Sequence, residues 1–107
     1  MKPEEELHAK IKKLLDGLGI LYVHSRTDKR TTQQKGVPDF LFAVRTKIPD
    51  CDHPIAWECK VDGRKLSDDQ EQWKMKAQSG RNGWHYYVIT NLTDACEALK
   101  PYGVISY

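Results

Sequence analysis

The sequence predicts an α/β fold, with a central β-sheet and helices packed on its faces. Three observations carry this prediction: apolar residues at helical spacing near the start, short runs rich in β-branched and aromatic residues, and turn-forming glycines and prolines between them. In chain order the predicted segments are α-β-β-β-α-β-α-β. Such a series buries one stripe of each helix against the sheet.

The first helix is predicted to begin at Pro3. Proline is tolerated in a first helical turn, and the three glutamates that follow it are favourable at a helix N-terminus. Gly17 and Gly19 end the helix, and residues 20–24 have the composition of a first strand. Apolar residues recur between these limits on one stripe: Leu7, Ile11, Leu14, Leu15 and Leu18.

Two further strands are predicted in the middle of the chain. Residues 37–44 are continuously apolar after Asp39, so we expect a central strand covered on both faces. Residues 46–54 contain prolines and aspartates typical of a turn. We therefore expect the second strand and a third strand at residues 55–61 to pair antiparallel.

A second helix is predicted from a capping box. Ser67 can accept a hydrogen bond as the N-cap, and Gln70 lies three residues later. Glycines at positions 80 and 83 end this helix at about Ser79. The chain then turns into another run of aromatic and β-branched residues.

The last third of the chain predicts a strand, a short helix and an edge strand. Residues 84–90 form the fourth strand, and Thr93 is expected to cap a helix over residues 93–99. Residues 104–106 are the candidate for a final edge strand.

Length and composition limit the class of protein. With 107 residues we expect one domain, residues 1–107. Three cysteines at irregular spacing fit reduced thiols, the N-terminus is charged, and no apolar run approaches the roughly 18 residues of a membrane span. We therefore expect a soluble, cytoplasmic protein. A net charge of +2 neither requires nor excludes a polyanionic partner.

The third strand carries two opposite charges in an apolar run. Side chains two apart in a strand share a face, so Glu58 and Lys60 are expected to point the same way. Cys59 is expected to face the core instead. Buried charges require a partner or a metal, and Asp39 at the start of the neighbouring strand can converge on this pair. Two carboxylates, a backbone carbonyl and waters form the hard-oxygen site that Mg²⁺ or Mn²⁺ prefers.

A polar segment rich in positive charge precedes the second strand. Residues 25–35 contain no apolar residue, which is typical of an exposed loop. Two interpretations stay open: a solvated linker, or a segment that binds phosphates beside the site. The nucleic-acid-binding candidates are Arg26, Lys29, Arg30, Lys35 and Lys65.

Three motifs follow one another along the chain: Gly36-x-Pro38-Asp39, Glu58-x-Lys60 and Leu66-Ser67-x-x-Gln70. This ordered set resembles the VRR-NUC branch of the PD-(D/E)xK nuclease superfamily. The resemblance implies a restriction-endonuclease-like αβββαβ core with a mixed central sheet. It also implies Mg²⁺- or Mn²⁺-dependent endonuclease activity on DNA, with a preference for branched DNA like that of Holliday junction resolvases, and a homodimer.

Residue roles follow from the same resemblance. Asp39 and Glu58 would be metal ligands, Lys60 the catalytic lysine and Gln70 the glutamine near the metal and water. The family also has an acidic residue on its first helix. Glu4 is the preferred candidate as a third ligand because it continues the core-facing stripe; the neighbouring Glu5 is second and Glu6 third.

Two alternatives to this function remain. One is a non-catalytic nucleic-acid-binding module with the same fold, and the other is a nuclease that acts on linear DNA or RNA, since the motif reads phosphate and not sugar. Among other polar residues, His24 is interpreted as an ordinary strand-end histidine rather than a phosphate contact.

Overall fold

A computed structural model describes residues 2–25, 36–47, 49–80 and 82–104 of the chain. Within these ranges the fold is mixed α/β, as expected. The elements are α1 (Pro3–Gly17), β1 (Tyr22–His24), β2 (Phe40–Lys47), β3 (Asp50–Cys59), α2 (Asp68–Ala77), β4 (His85–Ile89), α3 (Leu92–Leu99) and a 3₁₀ helix (Lys100–Tyr102).

The four strands form one mixed sheet in the order β1-β2-β3-β4. The first three pair antiparallel, which confirms the predicted pairing of β2 with β3, and β4 lies parallel to β3. The parallel pair requires a crossover connection, which α2 supplies. Helices flank the sheet.

The core lies on the sheet face that α1 and α3 cover. Side chains of alternating strand residues, such as Phe40 and Trp57, which pair across β2 and β3, are fully buried there. The predicted α1 stripe packs against them through Leu7, Ile11 and Leu15. The helical spacing of these residues therefore determines which side of α1 faces the sheet.

The opposite face of the sheet is only partly covered. Trp73 of α2 lies with its ring 6.1 Å from that of Tyr86 on β4 and 5.8 Å from Trp84. Farther along this face, Ala43 and Arg45 of β2 are exposed. The prediction that β2 is covered on both faces is therefore wrong, because burial alternates along the strand.

The hairpin between β2 and β3 is longer than predicted. Strand pairing extends to Lys47 opposite Asp50, so most of the predicted turn at residues 46–54 is strand. Pro54 lies within β3, opposite Ala43. Arg45 also approaches Asp50, at 2.8 Å, across the hairpin. The prolines and aspartates of residues 46–54 predicted a turn, but most of this segment is strand.

The C-terminal elements differ in detail from the predictions. The N-cap of α3 is Asn91 and not Thr93, because the Asn91 side-chain oxygen accepts from the Asp94 backbone N–H at 2.8 Å. The last predicted strand is not formed at Val104, which lies in a bend, and residues 105–106 lie outside the described ranges. Among the described residues, no helix is both long enough and apolar enough to cross a membrane.

Candidate active site

Asp39 and Glu58 lie at the same end of the sheet. Phe40 and Trp57 pair across the two central strands, and each carboxylate residue lies one position beyond that pair. Both are 3% exposed. The backbone N–H of Cys59 donates to Asp39 Oδ2 at 2.9 Å. The expected convergence of Asp39 with the third strand is therefore present.

The segment before Asp39 is held from two sides. The buried Ser25, which directly follows β1, donates its hydroxyl to the Pro38 carbonyl at 2.7 Å and its N–H to the Asp39 carbonyl at 2.9 Å. On the other side Gly36 has φ +81°, and a β-carbon there would overlap the Asp69 carbonyl in α2. Only glycine fits this close approach, which fixes the position of the segment that leads to Asp39, the residue before β2.

Gln70 connects the start of α2 to Glu58. The predicted capping box is formed: Gln70 N–H donates to Ser67 Oγ at 3.3 Å, and Ser67 N–H donates to Gln70 Oε1 at 2.8 Å. Because the amide oxygen is used by the cap, the amide nitrogen is free to donate to Glu58 Oε1, at 2.6 Å. One side chain therefore caps the helix and orients the carboxylate.

Lys60 lies beside Glu58, as strand alternation predicted. Its ammonium is 3.9 Å from Glu58 Oε1 and its side chain is 16% exposed. The backbone N–H of Lys60 donates to the Ile89 carbonyl at 3.0 Å, so β4 holds this position although β3 ends one residue earlier. Cys59, between the two charged residues, is fully buried in the core as expected.

The carboxylates repel one another in this buried setting. Burial raises the pKa of Glu58 to about 8, and the charge of Asp39 adds to the shift. Lys60 and the Asp39 backbone N–H lower that pKa by less. Glu4 also contributes to raising it, and Glu4 is half-buried whereas its two glutamate neighbours are exposed. Helix rotation therefore favours Glu4 as the acid that faces the site.

His8 is a site residue that sequence reasoning missed. Its Nε2 lies 3.5 Å from Asp39 Oδ2, and its Nδ1 lies 2.9 Å from His24 Nε2. His8 is four residues after Glu4, so the two share one face of α1. That spacing was a usable signal, because His8 also lies three residues before Ile11 of the core-facing stripe.

The donors present fit a divalent cation. Glu58 Oε2 is buried and makes no hydrogen bond of normal geometry to any residue in the described ranges. A buried carboxylate oxygen without a partner is costly, and a cation is one way to satisfy it. Asp39, Glu58 and the nearby Glu4 supply the carboxylate oxygens that Mg²⁺ and Mn²⁺ prefer.

Most of the candidate nucleic-acid-binding residues cannot be placed. Arg26, Lys29, Arg30 and Lys35 lie outside the described ranges. Lys65 is exposed in the segment between β3 and α2, shortly after a turn in which Asp62 has φ +56°. Lys65 therefore lies on the protein surface, between this turn and α2.

Comparisons with models of known protein families, with curated proteins and with solved structures find no match.

Proposed function

We propose that this protein is a Mg²⁺- or Mn²⁺-dependent endonuclease that hydrolyses phosphodiester bonds in DNA. Its core would be the restriction-endonuclease-like αβββαβ arrangement of the VRR-NUC type. The observed order of elements, α1-β1-β2-β3-α2-β4, supports this proposal. So does the meeting of residues from all three motifs around Glu58, with Asp39 at its side and Lys60 and Gln70 in contact with it.

One observation carries the proposal. The Glu58 carboxylate is almost fully buried, with Oε1 held by Gln70 and approached by Lys60, while Oε2 makes no hydrogen bond of normal geometry to a described residue. A carboxylate that served only as an ion-pair partner would be expected to use both oxygens or to be exposed. A buried, oriented oxygen that lacks a well-formed hydrogen bond supports a ligand role.

Asp39, Glu58 and Glu4 would hold the cation. When bound, the cation supplies Lewis-acid polarisation of the phosphodiester and increases the acidity of water. The Cys59 N–H orients Asp39 and the Gln70 amide orients Glu58, so neither carboxylate needs to reorganise on binding. Such preorganisation of the carboxylates is the main contribution that this rigid end of the sheet can make to catalysis.

Lys60 would act on the reacting groups directly. Its ammonium lies next to Glu58 with its side chain partly exposed, so it can reach a phosphate or a water placed at the site. There it orients the attacking water and offsets the negative charge that accumulates on the phosphate oxygens in the transition state.

The preference for branched DNA and the homodimer rest on the family resemblance and on a symmetry argument. A protein of 107 residues covers little DNA, and cleavage of two related strands requires two sites. A two-fold dimer supplies them. Arg26, Lys29, Arg30, Lys35 and Lys65 would bind the phosphate backbone.

The decisive experiment is a cleavage assay on three labelled DNA substrates. Purified protein is incubated with a four-way junction, a matched linear duplex and a flap, each with Mg²⁺, Mn²⁺ or EDTA. We expect metal-dependent cleavage, greatest on the junction. Lys60→Ala and Asp39→Ala should each lower the rate ~100-fold or more while the protein stays folded by circular dichroism.

Lys47→Ala is the matched control, because Lys47 is an exposed lysine at the far end of β2. It should cleave at the wild-type rate. Absence of metal-dependent cleavage on all three substrates, together with DNA binding in EDTA, would favour the non-catalytic binding module. Cleavage of an RNA strand or of linear duplex at equal rates would refute the branched-DNA preference.

A further inference from the structure

The buried side of Asp39 faces donor atoms of a different kind from those around Glu58. His8 Nε2, Asp39 Oδ2 and Cys59 Sγ are the relevant atoms, and suitable ligand atoms of the three residues all lie within 4.8 Å of one another. Asp39 and Cys59 are buried and His8 is half-buried. Nitrogen, oxygen and sulfur donors together are typical of zinc sites, whereas Mg²⁺ prefers oxygen alone.

The His8 ring is oriented as a metal-binding histidine would be. Nδ1 forms a hydrogen bond with His24 Nε2 at 2.9 Å, and the other nitrogen, Nε2, is directed at Asp39. Ligating histidines commonly hydrogen-bond through the nitrogen that does not bind the metal, which fixes the ring and its tautomer. The Phe40 ring packs at a steep angle against the His8 ring, with centroids 5.5 Å apart, and also restrains it.

The contact between His8 Nε2 and Asp39 Oδ2, at 3.5 Å, is long for a hydrogen bond. Nε2 is buried and makes no hydrogen bond to any described residue, although Asp39 Oδ2 is 3.5 Å away. If Nδ1 donates its proton to His24, Nε2 carries a lone pair that faces a carboxylate oxygen, and two lone pairs repel. Two ligands held by one tetrahedral zinc at 2.0–2.2 Å lie about 3.4 Å apart. The observed separation matches that value.

We propose that His8, Asp39 and Cys59 bind a cation of the zinc class, such as Zn²⁺ or Co²⁺, in preference to Mg²⁺. The inference shares Asp39 with the proposed nuclease site but needs no cleavage to be tested. When the metal–sulfur bond forms, the thiol releases its proton to solvent. His24 is then a positioning residue that holds the His8 ring.

The test is a titration of the whole protein with Co²⁺, followed by its visible and near-ultraviolet absorption. We expect the strong bands of tetrahedral Co²⁺ together with a thiolate-to-cobalt charge-transfer band. Zn²⁺ in equimolar amount should remove these bands, and millimolar Mg²⁺ should not. Absence of both bands in the wild-type protein, or their removal by Mg²⁺ as readily as by Zn²⁺, would overturn the proposal.

Variants assign the donors. His8→Gln should weaken Co²⁺ binding at least tenfold, and Cys59→Ala should abolish the charge-transfer band. The matched controls are His85→Gln, a half-buried strand histidine elsewhere, and Cys96→Ala, a half-buried thiol on α3. Both should behave as wild type. Unchanged binding in folded His8→Gln, or an unchanged charge-transfer band in folded Cys59→Ala, would refute the donor set.

The outcome separates this inference from the nuclease proposal. Mg²⁺-dependent cleavage with no zinc-class binding would overturn the inference and leave the nuclease standing. Zinc-class binding with the predicted bands, but without cleavage under any metal, would support the inference and overturn the nuclease.

Discussion

Glu58 is an ionisable group that the fold holds in an unfavourable buried position at the end of a strand. Burial and the neighbouring Asp39 both work against its ionised form, and Lys60 and the Gln70 amide only partly offset them. A protein gains nothing in stability from this arrangement, since a well-packed apolar residue would avoid the desolvation cost. The unfavourable position of Glu58 is therefore an argument for its proposed role as a metal ligand.

That cost makes the stability of the metal-free protein depend on pH. The pKa of Glu58 is about 8 in the folded chain and near 4.5 when unfolded, so the folded state binds the extra proton. The stabilising contribution of that proton is fully present below pH 4.5 and falls as pH rises towards 8. In EDTA, Glu58→Gln should therefore be more stable than wild type at pH 9 by a few kcal/mol, at about 1.4 kcal/mol per pKa unit.

Urea unfolding at pH 5 and pH 9 measures this difference. The groups that set the Glu58 titration are Asp39, Lys60 and Glu4, all of which remain in the variant. Glu5→Gln, a change at an exposed glutamate on the same helix as Glu4, is the control and should keep the wild-type pH dependence. If Glu58→Gln lost as much stability between the two pH values as wild type does, Glu58 would not be the titrating group.

The sequence indicated which charged residues would lie together where charge stood out against an apolar pattern. Glu58 and Lys60 were conspicuous in a buried strand, and the structure brings Asp39 and Gln70 to them. His8 was not conspicuous, because a histidine near a helix stripe is ordinary until its tertiary neighbours are known. Ser25 was missed for the same reason: its role is to anchor the backbone before Asp39.

Helix α2 is the element that completes the site. Its first turn provides the Gln70 amide, and its backbone at Asp69 packs against Gly36 so closely that no side chain fits between them. The segment leading to Asp39 is therefore positioned by a helix that follows it by thirty residues. The capping box that predicted the start of α2 also places the Gln70 amide beside Glu58.

Gly36→Ala should disrupt this packing. The added methyl group would overlap the Asp69 carbonyl, and the residue would keep a φ of +81° that L-amino acids disfavour. We expect a loss of about 1–2 kcal/mol from the backbone conformation and a further 1–3 kcal/mol from overpacking. The free energy of unfolding, measured with urea, reports the total.

Gly63→Ala is the matched control, because Gly63 has φ +69° and nothing near its missing β-carbon. It should lose only the conformational part. Equal losses in the two variants would show that packing against α2 does not constrain Gly36, and would leave Asp39 without that support.

The elements themselves were predictable to different degrees. Apolar periodicity located α1, and the capping box located α2, because both signals are local. The extent of β2 and β3 was not predictable, since Pro54 is accommodated within a hairpin whose register depends on the partner strand. Asn91 rather than Thr93 caps α3. Both residues have side chains suited to an N-cap, and only the backbone geometry distinguishes them, so the sequence could not decide between the two.

At the scale of the whole molecule, charge is distributed unevenly along the chain. The net charge is +2, but three acids occur near one end of the sheet in Asp39, Glu58 and Glu4, and basic residues are concentrated in residues 26–35. A polyanion will not approach buried carboxylates unless cations compensate them. Basic side chains and a bound metal ion can both provide that compensation, and their contributions are separable by salt.

The basic segment should therefore determine the salt dependence of DNA binding. A variant with alanine at Arg26, Lys29, Arg30 and Lys35 should bind junction DNA more weakly in EDTA. The slope of log K against log salt should become shallower by about 0.9 for each phosphate that the variant no longer neutralises. Fluorescence anisotropy at several salt concentrations measures both quantities, and Lys65→Ala tests the remaining candidate in the same way.

A second variant controls for net charge. This variant has alanine at four exposed lysines outside the basic segment, so it loses the same number of positive charges. They are Lys2 beside α1, Lys10 and Lys13 on α1, and Lys47 at the hairpin. If binding depended only on net charge, the two variants would have equal slopes, and the basic segment would have no specific role. A shallower slope confined to the first variant would instead show that its residues bind the phosphates.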